Sequence, residues 1–244
     1  MKYLIKDTPL YKGKAKSVYR SEIDGEFIVK FRDDITAFDG GKKDILKGKG
    51  RYNALVSSHI FRLLEEKGIR THFIRMIDET TMVVMELSMI PLEVIVRNVA
   101  AGSMTRKYPI NEGTKLSQPV IVIDYKDDSR HDPMLNDDLI LALDLLNKEE
   151  LEELKEISLR INNIMYDYMH DRDITLVDFK IEFGKQNGNI ILGDEISMDS
   201  MRLWDSKTGD SMDKDVYRFD KGDVMKSYES VAARILDNKV KGEP

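Results

Sequence analysis

The stretch from Leu176 to Asp205 reads L-V-D-F-K-I-E-F-G-K-Q-N-G-N-I-I-L-G-D-E-I-S-M-D-S-M-R-L-W-D, and it constrains the fold more than any other part of the chain. Side chains alternate faces along an extended strand, so Val177, Phe179, Ile181 and Phe183 enter a core while Asp178, Lys180 and Glu182 share the opposite face. A second short strand, Asn189 to Leu192, runs into Asp194 and Glu195, and Gly188 between the two predicts an antiparallel hairpin. Acidic residues from both arms then converge. Hard oxygen ligands on a rigid hairpin, with a lysine beside them, suit Mg²⁺ holding the phosphates of a nucleotide. A hairpin with one solvated, charged face is the plain alternative.

A chain of 244 residues is long enough for one large domain or two lobes around a cleft. Its net charge of −6 is spread out, with no massed Lys and Arg, which argues against a general nucleic-acid binder. The absence of cysteine excludes disulfides, thiolate metal sites and cysteine nucleophiles. The start, Met-Lys-Tyr-Leu-Ile-Lys-Asp, is too poor in apolar residues for a signal peptide, and no apolar run reaches the ~20 residues of a membrane span. The expected location is the cytoplasm.

Strands are expected at Ser17 to Tyr19 and Glu26 to Phe31 around the Asp24-Gly25 turn, then at His72 to Ile77 and Thr81 to Leu87. Helical spacing of apolar residues predicts a helix from Arg51 to Lys67, stopped by Gly68. Ser88 to Pro91 marks the expected boundary between an N-terminal lobe, 1–87, and a C-terminal lobe, 88–244, with a new strand near Leu92. Pro109 to Pro133 reads as loop with strand character at Val120 to Asp124. Asn147 and Glu150 have capping-box spacing ahead of an apolar stripe from Leu151 to Tyr168, and a last helix runs through Val224 and Leu236. The order of elements indicates an α+β fold in two lobes, antiparallel sheets with helices.

Four clusters carry candidate chemistry. In Lys12-Gly13-Lys14-Ala15-Lys16 the glycine lets the backbone approach a phosphate and Ala15 adds no bulk; a solvated lysine face is the alternative. Asp33 and Asp34, in the polar run that ends at Asp39 and Gly40, are metal or substrate ligands or simply turn formers. Arg97 sits in a mostly apolar strand leading to Ala101-Gly102-Ser103, where it needs either an anion, such as a phosphate shared with Ser103, or a buried Arg-Glu pair. Arg202 is a second candidate anion clamp. The four histidines have no metal-ligand or triad spacing and read as structural, and Trp204 reads as a packing anchor.

Taken together, Lys12 to Lys16, Asp33 to Phe38, Pro91 to Ser103, Lys126-Asp127-Asp128 with Asp132-Pro133, Leu176 to Gly184, and Asp194 to Ser197 with Arg202 to Asp205 resemble the SAICAR synthetase (phosphoribosylaminoimidazole-succinocarboxamide synthase) family. Met198 stands where the family motif has proline after Glu-Ile-Ser. The resemblance implies a two-lobed fold related in outline to ATP-grasp enzymes and protein kinases. It also implies an ATP- and Mg²⁺-dependent ligase that joins L-aspartate to 5-amino-4-carboxyimidazole ribonucleotide through an acyl phosphate. A homo-oligomer is implied, a dimer first, with no nucleic-acid or membrane partner. Carried over by position, Lys14, Ala15 and Lys16 resemble the phosphate loop, and Met85, Glu86 and Leu87 the adenine-reading segment. Glu182 and Asp194 resemble the metal carboxylates, and Arg97, Ser103 and Arg202 the 5′-phosphate clamp. Lys180 and Asp39 resemble residues near the imidazole carboxylate, with Asp178 in support. As cleft carboxylates, Glu182 and Asp194 are expected to be exposed and to matter little for stability. For both to share one face, the hairpin needs an odd-numbered loop, such as Asn187-Gly188-Asn189, or a bulge that resets the register.

Overall fold

The computed structural model describes residues 8–237. Strands β1 (Tyr11–Lys12), β2 (Lys16–Arg20) and β3 (Glu26–Phe31) open the chain, and the Asp24-Gly25 turn joins the last two as expected. A ribbon of β4 (Asp34–Ala37) and β5 (Lys42–Ile45) follows, then helix α1 (Lys49–Glu66), β6 (Phe73–Asp78) and β7 (Thr81–Met85). These form an antiparallel sheet in the order β1-β2-β3-β7-β6, with the ribbon apart. Next come β8 (Ser88–Val99), α2 (Ser103–Lys107), β9 (Lys115–Tyr125), β10 (Met134–Leu135), α3 (Asp137–Ala142) and α4 (Lys148–His170). The chain ends in β11 (Ile174–Gln186), β12 (Asn189–Gly193), β13 (Met201–Asp205), α5 (Asp215–Arg218) and α6 (Val224–Leu236). The second sheet runs β10-β9-β8-β11-β12, with β13 also on β11.

Apolar periodicity accounts for the helices. The predicted capping box of α4 is formed, with Asn147 accepting from the Glu150 N–H and Glu150 from the Asn147 N–H. Leu151, Leu154, Ile161 and Met165 of its stripe are buried in a core that is continuous with residues of both sheets. Strand β9 extends well beyond the expected Val120 to Asp124. Pro119 is tolerated there because it has no paired partner on either side: β10 pairs only with Ile123 and Asp124, and the register against β8 shifts between Val120 and Lys115.

Two expectations for the hairpin are corrected. Phe179, Ile181 and Phe183 enter the main core, but Val177 packs with Val99, Ala101 and Trp204 on the other side. The cause is a register shift against β13 between Leu176 and Asp178, which interrupts the alternation. The loop is not three residues. Gln186 pairs with Asn189, leaving the two-residue turn Asn187-Gly188 with φ of +51° and +77°, the left-handed pair that a tight hairpin requires. Glu182 therefore lies opposite Gly193, and regular pairing directs Asp194 to the core. The chain instead leaves the strand, and Asp194 adopts φ +59°. β8 occupies one edge of β11, while β13 and then β12 share the other. The 194–200 segment emerges where β11 passes from one partner to the next.

That segment is anchored to α1 by a buried ion pair. Lys49, with its side chain fully buried, binds Asp199, whose side chain is 5% exposed and also accepts from the Tyr228 hydroxyl at 2.7 Å. Although burial opposes it, the Lys49 ammonium holds the Asp199 carboxyl well below the usual carboxylate range. A depressed carboxyl contributes stability above the pKa of about 4 that it has when unfolded, and that contribution is lost progressively as pH falls below this. Lys49→Met leaves a buried carboxylate without its cation and is expected to cost about 3–5 kcal/mol in urea unfolding at pH 7. The double variant Lys49→Met/Asp199→Leu should recover much of this loss, and a loss equal to the sum of the single variants would show that the two charges are not coupled.

Candidate active site

The glycine loop is shaped from beneath by Arg32. Its guanidinium donates to the carbonyls of Gly13 and Lys16, both at 2.8 Å, and to the Ser17 hydroxyl at 2.7 Å, while its Nε donates to Asp34 at 2.8 Å. The Gly13 N–H closes the loop onto the Lys16 carbonyl at 2.9 Å. Lys14 reaches Asp128 at 2.8 Å. Lys16 binds Asp194 and lies 3.6 Å from Glu195. Although burial opposes it, these carboxylates hold the Lys16 ammonium above its ordinary value. Asp33 accepts from the Gly48 and Gly50 N–H groups at the start of α1, and is thus a turn former rather than a ligand.

Sheet register builds the second element of the site. Asp178 is directly opposite Arg97 of β8 on one side and Arg202 of β13 on the other. Its carboxylate accepts from Arg97 at 2.6 Å and from Arg202 at 2.9 and 3.1 Å. The pair needed to bury Arg97, which is 3% exposed, is therefore made with Asp178 rather than a glutamate. Arg97 also donates to the Ser103 hydroxyl at 2.9 Å and the Ala101 carbonyl at 3.2 Å, while its Nε has no partner among the described residues. Burial lowers its proton affinity, and Arg202 adds to the effect against Asp178. Arg202 is held in turn by Asp215 at 2.8 Å. Gly102 permits this approach, because a Cβ there would stand 2.6 Å from the Arg202 guanidinium. Two residues along β11, Lys180 donates to Glu93 at 2.6 Å.

Glu182 and Asp194 meet beside this array. Glu182 accepts from Lys126 at 2.5 Å, and Asp194 from Lys16. Neither is the exposed cleft carboxylate expected: Glu182 is buried at 4% exposure and Asp194 is half-buried. Burial, and then the Asp194 charge, pushes the Glu182 carboxyl up to about 7. Against the cost of burial, Lys16 and Lys126 hold Asp194 down at about 2. Among the described residues no group of three or more His, Cys, Asp or Glu is gathered for a metal. Two adjoining carboxylates with lysine counter-charges nevertheless suit Mg²⁺, which takes one or two carboxylates and completes its shell with water and phosphate oxygens.

Lys14, Arg97, Ser103, Asp178, Lys180 and Arg202 line one cavity of about 530 Å³. Ala15, Lys16, Glu182, Asp194, Met85, Glu86 and Leu87 lie off its wall. Met85 to Leu87 connect the two sheets: the Glu86 N–H donates to the Gly25 carbonyl at 2.8 Å, and Leu87 packs against Gly184 and Gly193. Asp39 falls in a 3-10 turn at Phe38–Gly40, and its side chain lies outside the described residues. Sequence reasoning gave no role to Arg32, Asp215 or Lys126, the last of which stands in a segment that carries the resemblance. For Arg32 and Asp215 the only signal was proximity to assigned motifs.

Glu182→Gln removes a carboxyl whose raised pKa penalises the folded state. The penalty is absent below the unfolded pKa of about 4.5 and complete once pH passes about 7. The variant is therefore expected to unfold at higher urea than the parent at pH 8, with the difference shrinking at pH 5, while losing turnover. Lower stability at pH 8 would contradict this account.

The family model for SAICAR synthetase matches residues 9–235. The chain is 66% identical to the phosphoribosylaminoimidazole-succinocarboxamide synthase of Methanoregula boonei, over 93% of this chain and 88% of that protein. It is 65% identical to that of Methanoculleus marisnigri, over 93% and 94%. A SAICAR synthetase solved in complex with ADP superposes with a TM-score of 0.91 at 47% identity, covering 95% of this chain and 99% of the other. With nearly its whole described length matched in sequence and in fold, the chain belongs to the SAICAR synthetase family.

Proposed function

We infer that the chain performs its family's reaction, the ATP-dependent joining of L-aspartate to the carboxylate of 5-amino-4-carboxyimidazole ribonucleotide in purine biosynthesis, giving SAICAR, ADP and phosphate. The observation that carries this reading is the Asp178-centred pair of arginines, open to a cavity beside the Lys16–Glu182–Asp194 cluster. A kinase for a simple alcohol has no use for so elaborate an anion clamp.

A carboxylate does not condense with an amine at neutral pH, because its oxygen is a poor leaving group. Phosphoryl transfer from ATP turns that oxygen into phosphate. The aspartate amine then attacks the acyl carbon, the C–N bond forms and the C–O bond to phosphate breaks. In this reading Lys14 and Lys16 exchange their present carboxylate partners for nucleotide phosphates and offset charge on the transferring group. Arg97, Ser103 and Arg202 take the ribonucleotide 5′-phosphate, and Asp178 keeps both guanidinium groups aimed at one point. Lys180, with Asp39 by resemblance, orients the imidazole carboxylate. Glu182 and Asp194 are the groups that would hold Mg²⁺, which supplies charge neutralisation at the phosphates when bound. The adenine belongs at Met85 to Leu87, between the N-terminal lobe, 1–87, and the C-terminal lobe, 88–244.

Among the described residues no helix is long and apolar enough to cross a membrane. The charged substrates do not cross one unaided, so this reading places the enzyme with them in the cytoplasm. A homodimer is the accompanying proposal, which light scattering tests directly.

An assay that omits one component at a time tests the function. Sustained ADP release, beyond one equivalent per enzyme, should require ATP, the ribonucleotide, aspartate and Mg²⁺ together. ADP release that is indifferent to aspartate would sink the ligase reading. Ser103→Ala removes one donor without unpairing Asp178, and the loss of about 0.5–1.5 kcal/mol predicts a KM for the ribonucleotide raised about 2- to 12-fold. An equal change in the KM for ATP would refute its place in the clamp.

A further inference from the structure

We infer that Asp213 is a positioning residue for the phosphate clamp, fixing Arg202 by holding the backbone on both sides of the ion pair that Arg202 makes with Asp215. The inference rests on the clamp reading of Arg202 given above and adds a residue that the reading leaves without a task.

Asp213 lies off the wall of the cavity, at the joint between β13 and α5. One edge of β13 is paired with β11. Along its other edge the chain returns: Trp204 bridges to Ser211, and the Met212 N–H donates to the Leu203 carbonyl at 2.8 Å. The Leu203 N–H then needs an acceptor, and finds it in the Asp213 carboxylate at 2.7 Å rather than in a main-chain carbonyl. The second oxygen of the same carboxylate accepts from the Asp215 N–H, also at 2.7 Å. Asp215 in turn grips Arg202 Nε at 2.8 Å. A closed ring results, running from Arg202 through the Leu203 peptide, Asp213 and Asp215 back to Arg202. Without it, Asp215 is free to follow Arg218, which it binds at 2.5 Å, and Arg202 loses the partner that sets its second edge.

The charge of Asp213 works against the fold at neutral pH. The side chain is fully buried, and burial, then the Asp215 charge, pushes its carboxyl up to about 7. A pKa raised above the unfolded value of about 4 penalises the folded state as pH rises above that value, with the full penalty reached past about 7. Asparagine has nearly the same shape and carries no such penalty. Its amide, however, brings one oxygen and two N–H donors to a place that already presents two backbone N–H groups, so one of these is left unbonded. Both oxygens of a carboxylate are needed to close the ring, and the side chain that the ring holds in place is Arg202.

Steady-state kinetics of Asp213→Asn, with each substrate varied in turn and thermal melting as the check on folding, separate a positioning role from a merely structural one. Opening the ring at one hydrogen bond predicts a KM for the ribonucleotide raised about 3- to 30-fold, with the KM values for ATP and aspartate within about twofold of the parent. In an Arg202→Met background the same substitution should leave the ribonucleotide KM within about twofold of the Arg202→Met value, because the group through which Asp213 acts is gone. Asp213→Ser, which also keeps one acceptor and no charge, takes the place of the asparagine variant if that does not fold, and the same split is expected of it. An unchanged ribonucleotide KM overturns the inference, as do an equal rise for all three substrates and effects of the two substitutions that simply add. If Arg202→Met raises the ribonucleotide KM and Asp213→Asn does not, this inference fails and the clamp reading stands; if Arg202→Met itself leaves that KM unchanged, both fail.

Discussion

A carboxylate set between two guanidinium groups in the middle of a sheet dictates much of what surrounds it. Asp178 and Arg97 are both largely removed from water, where an isolated charge is costly, so each must find opposite charge in a fixed geometry. The sheet provides this by register alone, with Arg97 and Arg202 on the strands flanking Asp178. A slip of one residue in either pairing would turn one arginine to the other face and strand a charge in the core. The position of β8 and β13 on β11 is therefore selected by electrostatics as well as by apolar packing. Gly102 and Asp215 are subordinate to the same demand, one by making room for Arg202 and the other by holding its second edge.

Local signals were legible where physics is local. The Asp24-Gly25 turn, the Asn147–Glu150 box and the apolar stripe of α4 depend on residues a few positions apart, and the chain states them directly. The strand carrying Asp178, Lys180 and Glu182 was legible for the same reason. What escaped were features set by partners distant in sequence. Val177 leaves the main core because β11 bulges there against β13, and nothing near Val177 announces it. The stretch from Pro109 to Pro133 read as loop, yet Pro119 is harmless within β9 because neither β8 nor β10 pairs with it. Burial of Glu182 follows from Lys126, fifty-six positions away, and Arg32 shapes a loop whose own residues give no hint of it.

Lysines in the cavity and beside it are already matched by carboxylates. Lys14 and Lys16 sit on Asp128 and Asp194, and Lys126 on Glu182, so in the function proposed above substrate phosphates displace existing ion pairs rather than fill a void of bare charge. Binding then exchanges one set of partners for another. This keeps the net gain modest and reserves the stronger interaction for geometry that only the reacting complex supplies.

Asp194 shows how a side chain can be chosen twice over. Its backbone lies at φ +59°, a region that Asp, Asn and Gly enter more readily than other residues, while its charge is what Lys16 and Lys126 surround. Glycine and asparagine meet the first requirement and fail the second; glutamate meets the second and is strained by the first. Aspartate alone among the twenty satisfies both. Divergence at this position is thereby closed from two independent directions, so a homologue that kept the hairpin but lost this residue would have to rebuild the exit from β12 before it could regain the charge.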